Sequence, residues 1–511
     1  MIIFIILLYL INFALLLINY IHMYQLNYYK ADMHLHWCKA NIQKITLRCI
    51  LALSPLLALT GNLILQILSA FFLICSIAVL IPRNSKIPLK ITGRVLRILS
   101  VEIILAVLSL AFKASETQFI IRLAILCGLI APVLCILANF ILFPVEWYGR
   151  NRYIKGAKKI LAEQDNLTII AVTGSYGKTS MKNFLAELLS EKYDVLVTPK
   201  NYNTQLGIAR TIRENLKPTH DVFICEMGAM WEGEIAECCD IAKPNIGIIT
   251  AVGPQHLQTF GDIETIVRTK FELAEAIKKN DGKLFLNYDN EYIRKKKCEV
   301  EHKSYGLKKD YDYYANELKS GPDGQSFTFH GDNKTIEAHT KLLGEHNIEN
   351  LVGAIAVAKE LGISDKDIKF AIRRIKSVPH RLELTNKGNL SIIDDSYNSN
   401  PVSSCLAVDT LAQFEGIKIV VTPGLIELGD DEERYNEELG THIAKKGCDF
   451  VYLVGDSSQT NAIEAGLIHA KFKDSKIQRV KSPQEAVSYA TKKYPSEKLT
   501  VLLLNDLPDN Y

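Results

Sequence analysis

The residues best suited to chemistry lie in one glycine-rich segment, AVTGSYGKTS, from Ala171 to Ser180. Gly174 and Gly177 permit a tight turn in which backbone N–H groups and a helix N-terminus point at an anion. Lys178 adds a mobile positive charge for the outer phosphates of a nucleotide, and Thr179 adds a hydroxyl for the accompanying Mg²⁺. The segment therefore predicts a phosphate-binding loop for ATP or GTP.

The sequence on both sides of this segment predicts the elements that such a loop needs. Leu167 to Ala171 (LTIIA) is apolar and β-favouring, which predicts a strand. After the loop, apolar residues recur at the spacing of one buried helix face. A strand, a glycine turn and a helix in this order are the required context. The apolar residues of the helix are Met181, Phe184, Leu185, Leu188 and Leu189.

Two later strands end in residues that favour a metal site. VFICEMG (Val222–Gly228) carries Glu226 near its end, and NIGIITAVGPQH (Asn245–His256) ends in His256. The carboxyl ends of parallel strands meet at one edge of a sheet, so both side chains are expected near the phosphate loop. The oxygens of Glu226 suit Mg²⁺, whereas histidine is a less usual ligand. Without a metal, Glu226 would be a structural carboxylate and His256 a packed or solvated histidine, and both alternatives stay open.

Length, charge and cysteine content limit the classes of function. The 511 residues are enough for about three domains. The net charge of +3, without a basic stripe, argues against a nucleic-acid partner. The 11 cysteines include no C-x-x-C pair, which argues against a zinc knuckle or a disulfide framework and favours reduced thiols.

Residues 1–145 are predicted to form a transmembrane helical region of about five spans. Lysine and arginine cluster in segments 22–48 and 83–97, so both segments are predicted to face the cytoplasm. The chain then leaves the last span on the side where ATP is found. Two roles fit a region of several spans. It is either a plain anchor or a surface that contacts a lipid substrate or a membrane partner. The spans are Met1–Ile21, two short helices in Cys49–Ile81 broken at Thr60–Asn62, Ile98–Phe112 and Phe119–Phe143.

Eight motifs in one order, between about Leu167 and Gly455, resemble the Mur ligases, ATP-dependent amide-forming enzymes of bacterial cell-wall synthesis. Two of the later segments, DDSYNSNP and LIELGDDEE (Leu425–Glu433), are most similar to the branch that adds D-alanyl-D-alanine. The motifs are AVTGSYGKTS, TPKNYNTQLG (Thr198–Gly207), ICEMGA (Ile224–Ala229), ITAVGPQHLQTFGD (Ile249–Asp262), VRTKFELAEAI (Val267–Ile277), LGEHNIENLVGAIAVA (Leu343–Ala358), PHRLEL (Pro379–Leu384) and DDSYNSNP (Asp394–Pro401).

The resemblance implies roles for residues of the central segment. Thr179 and Glu226 would hold one Mg²⁺, and His256 would help to hold a second. Lys270 matches a carbamylated lysine of the family, an anionic metal ligand, although the residues alone predict a solvated helix charge. The ATP phosphates would be held by Gly174, Ser175, Gly177, Lys178, Thr179 and Ser180.

The resemblance also implies a nucleotide-binding role for later residues. Asn347 and Asn350 resemble the residues on the adenine side of the nucleotide. Arg381 and Asp395, at the hinge and the start of the last domain, resemble the pair that reaches the nucleotide when the domains close. Asn398, Asn400 and Pro401 follow in the same loop and are expected to shape the pocket of the incoming amine.

Together these features predict an α/β ligase: a phosphate-loop central domain with a parallel sheet and a Rossmann-like C-terminal domain, preceded by transmembrane helices. The expected domains are 1–145, a linker helix at 146–166, 167–378 and 379–511, with the last boundary at Pro379, since Val378 precedes a proline. The expected cofactors are ATP and Mg²⁺. The expected location is the bacterial cell membrane, with multi-pass anchoring and cytoplasmic catalytic domains.

By this resemblance, the predicted membrane helices stand where the stem-peptide ligases have a UDP-recognition domain, which leaves the substrates open. The expected substrates are a cell-wall precursor, UDP-linked or lipid-linked, and an amino acid or dipeptide such as D-alanyl-D-alanine. Envelope-synthesis proteins are expected partners. Two other functions stay open: an amide ligase for a polymer other than peptidoglycan, and a non-catalytic ATP-binding scaffold. The scaffold would not need Lys178, Glu226, His256 and Lys270.

Overall fold

The computed structural model describes residues 2–81, 88–111, 118, 121–122, 125–126, 130–199, 202–321, 323–397 and 400–505. These residues divide into two compact units, one within residues 1–151 and the other within 152–507. Each unit is described by itself below.

The N-terminal part of the chain is helical. Four described helical stretches are long and apolar enough to cross a membrane by length and composition: Ile3–Leu26, Ile42–Thr60, Leu63–Leu80 and Ala131–Ala162. The helices are α1 (Ile2–Leu26), α2 (Ala31–Ala40), α3 (Ile42–Ala52), α4 (Leu63–Leu80), α5 (Gly93–Ala111) and α6 (Ala131–Ala162), with a 3₁₀ turn at Ser54–Thr60.

The predicted break between two of these helices is confirmed. Gly61 adopts a φ of 74°, and the Asn62 side chain accepts a hydrogen bond from the Ile64 N–H and caps α4. The predicted span Ile98–Phe112 falls in α5, except for Phe112, which lies outside the described residues, as does much of 119–129. The number of spans therefore stays a prediction.

The predicted linker helix 146–166 is part of a longer element. Helix α6 runs for 32 residues from Ala131 to Ala162 and contains Pro144. Proline removes one backbone donor from a helix and usually bends or ends it. Here the helix continues on both sides, so the predicted span to Phe143 and the predicted linker belong to one element.

The central domain is built on a sheet of nine described strands in the order β2-β3-β1-β4-β5-β6-β7-β8-β9. Pairing is parallel from β2 to β7, and β8 is antiparallel to both β7 and β9. The strands are β1 (Thr168–Thr173), β2 (Val195–Val197), β3 (Val222–Glu226), β4 (Ile246–Ile249), β5 (Lys283–Asn287), β6 (His302–Gly306), β7 (Tyr313–Gly321), β8 (Gly324–Gly331) and β9 (Lys334–Thr340).

The prediction of a parallel central sheet is therefore confirmed from β2 to β7 and wrong at the edge formed by β8 and β9. Asp332 and Asn333 both have positive φ, 51° and 57°, and form the two-residue turn between β8 and β9. Such a turn matches the twist of a hairpin and makes the strands antiparallel. The sequence signal was the run Gly331-Asp332-Asn333 between alternating segments.

Helices cover both faces of the central sheet. One buried cluster joins Ile170 and Val172 to α7 and α13, and the other joins Ile169 and Ala171 to α8, α9 and α11. Strand β1 is thus buried on both faces, as a central parallel strand must be. These helices are α7 (Lys178–Leu189), α8 (Gln205–Asn215), α9 (Glu234–Ala242), α10 (Leu257–Phe260), α11 (Ile263–Lys279), α12 (Glu291–Lys295), α13 (Glu345–Glu360) and α14 (Asp365–Arg374).

The last domain has the predicted Rossmann-like alternation around a second sheet, ordered β10-β11-β15-β12-β13-β14. Only the edge pair β10–β11 is antiparallel among its described strands. Its elements are β10 (Glu383–Lys387), β11 (Leu390–Asp395), α15 (Pro401–Ala412), β12 (Ile417–Thr422), α16 (Glu432–Lys445), β13 (Phe450–Val454), α17 (Ser458–His469), β14 (Ile477–Val480), α18 (Pro483–Lys493) and β15 (Leu499–Leu504), with a 3₁₀ turn at Gly429–Asp431.

Candidate active site

The phosphate loop connects the end of β1 to the start of α7, as predicted. Gly174 lies so close to β4 that a Cβ there would be 2.2 Å from Thr250 Oγ1. The Ser175 N–H donates to the Ala251 carbonyl at 2.6 Å. Gly177 precedes the first turn of α7 with a φ of 82°. The loop is thus fixed against β4 with its N–H groups at a helix N-terminus, where anions bind.

Lys178 is folded over its own loop. Its Nζ donates to the carbonyl oxygens of Gly174 at 2.8 Å and Ser175 at 3.0 Å. Burial lowers the pKa of Lys178 to about 8, and the charge of Glu226 acts in the opposite direction. The ammonium group is therefore protonated at neutral pH and held beside the backbone that would surround a phosphate.

Glu226 ends β3 and is surrounded by donors. Thr179 Oγ1 lies 3.2 Å and 3.1 Å from its two carboxylate oxygens, and Asn203 Nδ2 donates at 3.3 Å. Lys182 Nζ forms a buried ion pair with it at 3.0 Å. The neighbouring Thr179 hydroxyl and Glu226 carboxylate supply the oxygen ligands that Mg²⁺ prefers, so these residues fit that ion.

A cavity of about 410 Å³ brings most of the predicted residues together. Gly174, His256 and Lys270 are not among the residues that line it. The predicted residues in its wall are Ser175, Gly177, Lys178, Thr179, Ser180, Glu226, Asn347, Asn350, Arg381 and Asp395. The wall also contains residues that the sequence did not predict: Tyr176, Asn203, Gln255, His346, Val378, Pro379, His380, Tyr397 and Ser403.

The last domain and its hinge contribute a cation to this cavity. The Arg381 guanidinium lies 5.1 Å from the centre of the Tyr397 ring. Burial raises the pKa of Asp395 to about 6, while Arg381 and a hydrogen bond from the Leu382 N–H oppose the rise. Burial and Arg381 together lower the pKa of His346, to about 4. Arg381 also acts on Lys178, so two cations bear on one cavity, as anionic phosphates require.

Asn347 and Asn350 lie on the first turns of α13 and also line the cavity. Their side-chain amides donate to the carbonyls of Leu343 at 2.8 Å and His346 at 2.9 Å. Each amide thus holds a carbonyl of its own helix end. His346 Nδ1 is buried without a hydrogen-bond partner among the described residues. The adenine-side role that the resemblance implies for Asn347 and Asn350 stays a prediction.

His256 and Lys270 lie beyond the residues that line the cavity. His256 Nδ1 is 2.6 Å from the Glu427 carboxylate of the last domain. The Lys270 side chain is buried, with its Nζ 5.6 Å from the centre of the Phe260 ring. Burial and the charge of Lys178 lower the pKa of Lys270 to about 7. Lys270 is thus not the solvated charge that its residue type alone predicts.

The loop after β11 has a structural role that the sequence did not predict. Asn400 accepts hydrogen bonds from the N–H groups of Val402 and Ser403 and forms a capping box at the start of α15, with Pro401 in the first turn. The side-chain oxygen of Asn400 is therefore used by the helix. Asn398 lies outside the described residues.

Replacing Gly177 with alanine is expected to weaken nucleotide binding about tenfold. The left-handed φ costs a non-glycine residue about 1–2 kcal/mol, and the new Cβ would be 2.8 Å from Asn350 Oδ1. Titration with a fluorescent ATP analogue measures the change. Gly447→Ala is the matched control, since Gly447 has a φ of 73° and no atom within 4 Å of the added Cβ. Equal affinity of both variants would contradict the expectation.

Replacing Lys182 with methionine is expected to lower the free energy of unfolding by about 3 kcal/mol, because the Glu226 carboxylate then stays buried without its cation. Added Mg²⁺ and ADP should restore part of the loss by compensating that carboxylate. Thermal unfolding with and without the ligands measures both effects, with the exposed Lys341→Met as control. If Mg²⁺ and ADP do not restore any of the lost unfolding free energy, the result would argue against a metal at Glu226.

The fold and the cavity define a nucleotide-binding enzyme with two α/β domains and a phosphate loop. Comparison with known families adds two matches: the Mur ligase middle domain over residues 172–358, and the Mur ligase, glutamate ligase domain over residues 380–504. The chain belongs to the Mur ligase family. Members of this family are ATP-dependent ligases that use Mg²⁺.

Two relatives of known sequence are both named UDP-N-acetylmuramoyl-tripeptide–D-alanyl-D-alanine ligase. The protein of Buchnera aphidicola subsp. Baizongia pistaciae is 29% identical over 351 residues, 67% of this chain and 76% of its own length. The protein of Bacillus subtilis is 32% identical over 291 residues, 56% of this chain and 62% of its own length. The alignments thus leave a substantial part of each of these two relatives unmatched.

Two solved structures of MurF are similar to this chain. MurF from Acinetobacter baumannii superposes with a TM-score of 0.63 at 27% identity, covering 70% of this chain and 77% of its own. The MurF ligase from Thermotoga maritima, in complex with ADP, has a TM-score of 0.62 at 26% identity and covers 70% and 80%. The matched fold is therefore one that holds an adenine nucleotide.

Proposed function

We propose that this chain is a membrane-anchored, ATP-dependent ligase that joins D-alanyl-D-alanine to the terminal carboxylate of a muramoyl-tripeptide precursor. One observation carries the proposal: a single cavity is lined by the phosphate loop, by Glu226, and by Arg381 and Asp395 of the hinge and last domain. The names of the relatives, with the MurF structures, support the substrates.

The residues of the central domain would bind and polarise the phosphates. The loop N–H groups and Lys178 face the charge that moves from ATP to the acceptor carboxylate, and Thr179 and Glu226 would hold Mg²⁺ beside them. ATP supplies the phosphoryl group that turns a carboxylate oxygen into a good leaving group, and Mg²⁺ neutralises its charge. Positioning and electrostatics are the contribution of the protein.

The last domain would present the amine and exclude water. Arg381, Tyr397 and Ser403 line the same cavity as the phosphate loop. A carboxyl phosphate is hydrolysed by water, so a closed cavity favours attack by the amine instead. The amine nitrogen attacks the acyl carbon and forms the C–N bond of the amide. The C–O bond between the acyl carbon and the phosphate breaks, its electron pair leaves with the phosphate, and the nitrogen gives up one proton.

Membrane anchoring is supported by the surface of the N-terminal helices. Large apolar side chains are exposed there to an extent that water would penalise: Ile3 is 84% exposed, Phe140 76% and Ile64 68%. Together with the four apolar helices, this favours a lipid environment. The lysine and arginine clusters in segments 22–48 and 83–97 favour catalytic domains on the cytoplasmic side. An acceptor at the membrane surface, linked to lipid in place of UDP, is the second form of substrate that this arrangement favours.

The function is tested by product analysis with the detergent-purified chain. UDP-muramoyl-tripeptide and the matching lipid-linked muropeptide are each offered with and without D-alanyl-D-alanine, with Lys178→Ala as the blank. A product heavier by one dipeptide minus water, formed from one acceptor only, supports the ligase and identifies the acceptor. Nucleotide binding without product on either acceptor would contradict the proposal and favour the scaffold.

Anchoring is tested separately, in membranes of the expressing cell. The full chain should stay in the membrane fraction after an alkaline carbonate wash and leave it only with detergent. Release by carbonate alone would contradict insertion and leave the ligase proposal intact.

A further inference from the structure

One hydrogen bond connects the two α/β domains at His256, a predicted metal residue. His256 Nδ1 and Glu427 Oε2 are 2.6 Å apart, although the residues are 171 positions apart in the chain. Both side chains are largely shielded from solvent, with 20% and 28% exposure. Both residues also have positive φ, 53° and 63°. Non-glycine residues adopt this backbone only where the surroundings hold them in it.

The last domain holds the Glu427 segment rigidly. The buried Asn436 of α16 accepts from the Leu425 N–H at 2.8 Å and donates to the Leu425 carbonyl at 2.9 Å. Asn505 donates to the Gly424 carbonyl at 2.7 Å. A Cβ on Gly424 would lie 2.5 Å from Gln459 Cβ. The backbone on the N-terminal side of Glu427 is therefore held by contacts within the last domain itself.

On the central domain, the partner side is equally ordered. His256 precedes the short helix α10, whose Thr259 and Phe260 N–H groups donate to the His256 carbonyl. Phe260 lies against Lys270, the predicted carbamylated residue. The turn that begins at Gly429 lies close to α10, because a Cβ added at Gly429 would be 3.8 Å from the Gln258 backbone nitrogen. The hydrogen bond between His256 and Glu427 thus forms where the two domains meet, at the start of α10, and α10 precedes the helix that carries Lys270.

The chemistry of this pair fixes the state of the histidine ring. An ionised carboxylate can only accept hydrogen bonds, so Nδ1 carries the proton. In the neutral ring the lone pair then lies on Nε2, the atom left to bind a metal. A carboxylate behind a metal-binding histidine orients the ring and raises its basicity, and its loss typically weakens metal binding about 10- to 100-fold.

We propose that Glu427 is a positioning residue for the second Mg²⁺ site. It acts through His256, by fixing the ring orientation and the Nε2 lone pair, and it does so only when the last domain lies against the central one. Binding of the second metal ion is thereby linked to domain closure. The inference rests on the proposed ligase function, because that function supplies the need for a second metal.

The test counts metal ions in the full-length, detergent-purified chain. Mn²⁺ replaces Mg²⁺ as the probe, and electron paramagnetic resonance measures free Mn²⁺ during a titration at saturating ADP. Wild type should bind two ions. Glu427→Ala should bind the second about 10- to 100-fold more weakly and leave the first unchanged. Glu427→Gln, whose amide oxygen still accepts from Nδ1, should recover part of the loss.

A matched control and a structural readout separate this role from a loss of folding. Glu433→Ala removes an exposed carboxylate from the nearby helix α16 and should behave as wild type. Nitrogen-15 spectra of the His256 ring should show the protonated Nδ1 in wild type and lose that preference in Glu427→Ala.

The outcomes distinguish the inference from the function beneath it. Equal affinity for both ions in wild type and Glu427→Ala would overturn the positioning role, even if the ligase is active. A wild type that binds a single Mn²⁺ with ADP would overturn the inference as well. A third outcome is that wild type binds two ions, Glu427→Ala binds the second more weakly, and no ligase product forms. This outcome would contradict the proposed function but support the role of Glu427 at the second metal site.

Discussion

Replacing Lys178 with alanine is expected to lower the ligase rate by about 10³-fold, more than any other single substitution in the active site. Its ammonium group lies beside the carbonyls of Gly174 and Ser175, at the centre of the phosphate loop. Charge shifts within the phosphates during transfer, and one well-placed donor to such charge contributes about 10²–10³ in rate. Because Lys178 is mainly protonated at neutral pH, we expect the loss of rate to lie at the upper end of this range.

The measurement is phosphate release from ATP in the presence of acceptor and amine. Lys334→Ala is the control, because Lys334 is exposed at the start of β9, on the antiparallel edge of the central sheet. Thermal unfolding of both variants should match that of wild type, so that the loss reflects chemistry. A Lys178→Ala variant within tenfold of wild type would show that the loop does not carry the reaction.

Replacing Lys270 with alanine is expected to lower the rate about 100-fold. Burial and Lys178 bring the pKa of Lys270 to about 7, so a large fraction of the side chain is an uncharged amine at neutral pH. Only the uncharged amine reacts with CO₂, giving a carbamate and releasing one proton. The carbamate is an anionic oxygen ligand, which a hard cation such as Mg²⁺ prefers. Loss of the carbamate should lower the rate about as much as loss of a hydrogen-bond donor to the transferred phosphate.

Two observations separate carbamylation from a purely structural lysine. Wild type freed of CO₂ should lose activity and regain it when bicarbonate is added, and Lys270→Ala should gain activity with added acetate or propionate. Lys279→Ala, at the exposed end of the same helix, should respond to neither carboxylate and keep the wild-type rate. A wild type that is insensitive to CO₂, together with a variant that no carboxylate restores, would contradict the carbamate.

The local part of the site was predictable from sequence. The phosphate loop depends on a strand, two glycines and a helix that are contiguous in the chain, so pattern and spacing are sufficient. Glu226 was predictable because carboxyl ends of parallel strands meet at one edge, and β1 and β3 are neighbours. The mixed sheet was missed because antiparallel pairing depends on a two-residue turn at Asp332–Asn333.

Pairings between distant segments were not predictable. Lys182 lies one turn beyond Lys178 on the same face of the helix. Its ion pair with Glu226 forms only because β3 packs against α7, which the sequence does not show. The contact of His256 with Glu427 depends on how two domains meet. Lys270 resembled a surface charge because helix periodicity alone does not show that its neighbours cover it. Sequence thus predicted most of the residues that meet at the cavity, and the structure added the contacts between distant segments that surround them.

The most direct test of the proposed reaction follows one oxygen atom. The terminal carboxylate of the preferred acceptor is labelled with ¹⁸O, and the phosphate released during ligation is analysed by mass spectrometry. Attack of the carboxylate on the γ-phosphate, followed by attack of the amine on the carbonyl carbon, predicts one ¹⁸O in each phosphate and one amide formed per ADP. Phosphate without the label, or released equally without acceptor, would contradict a ligase that activates its acceptor through ATP.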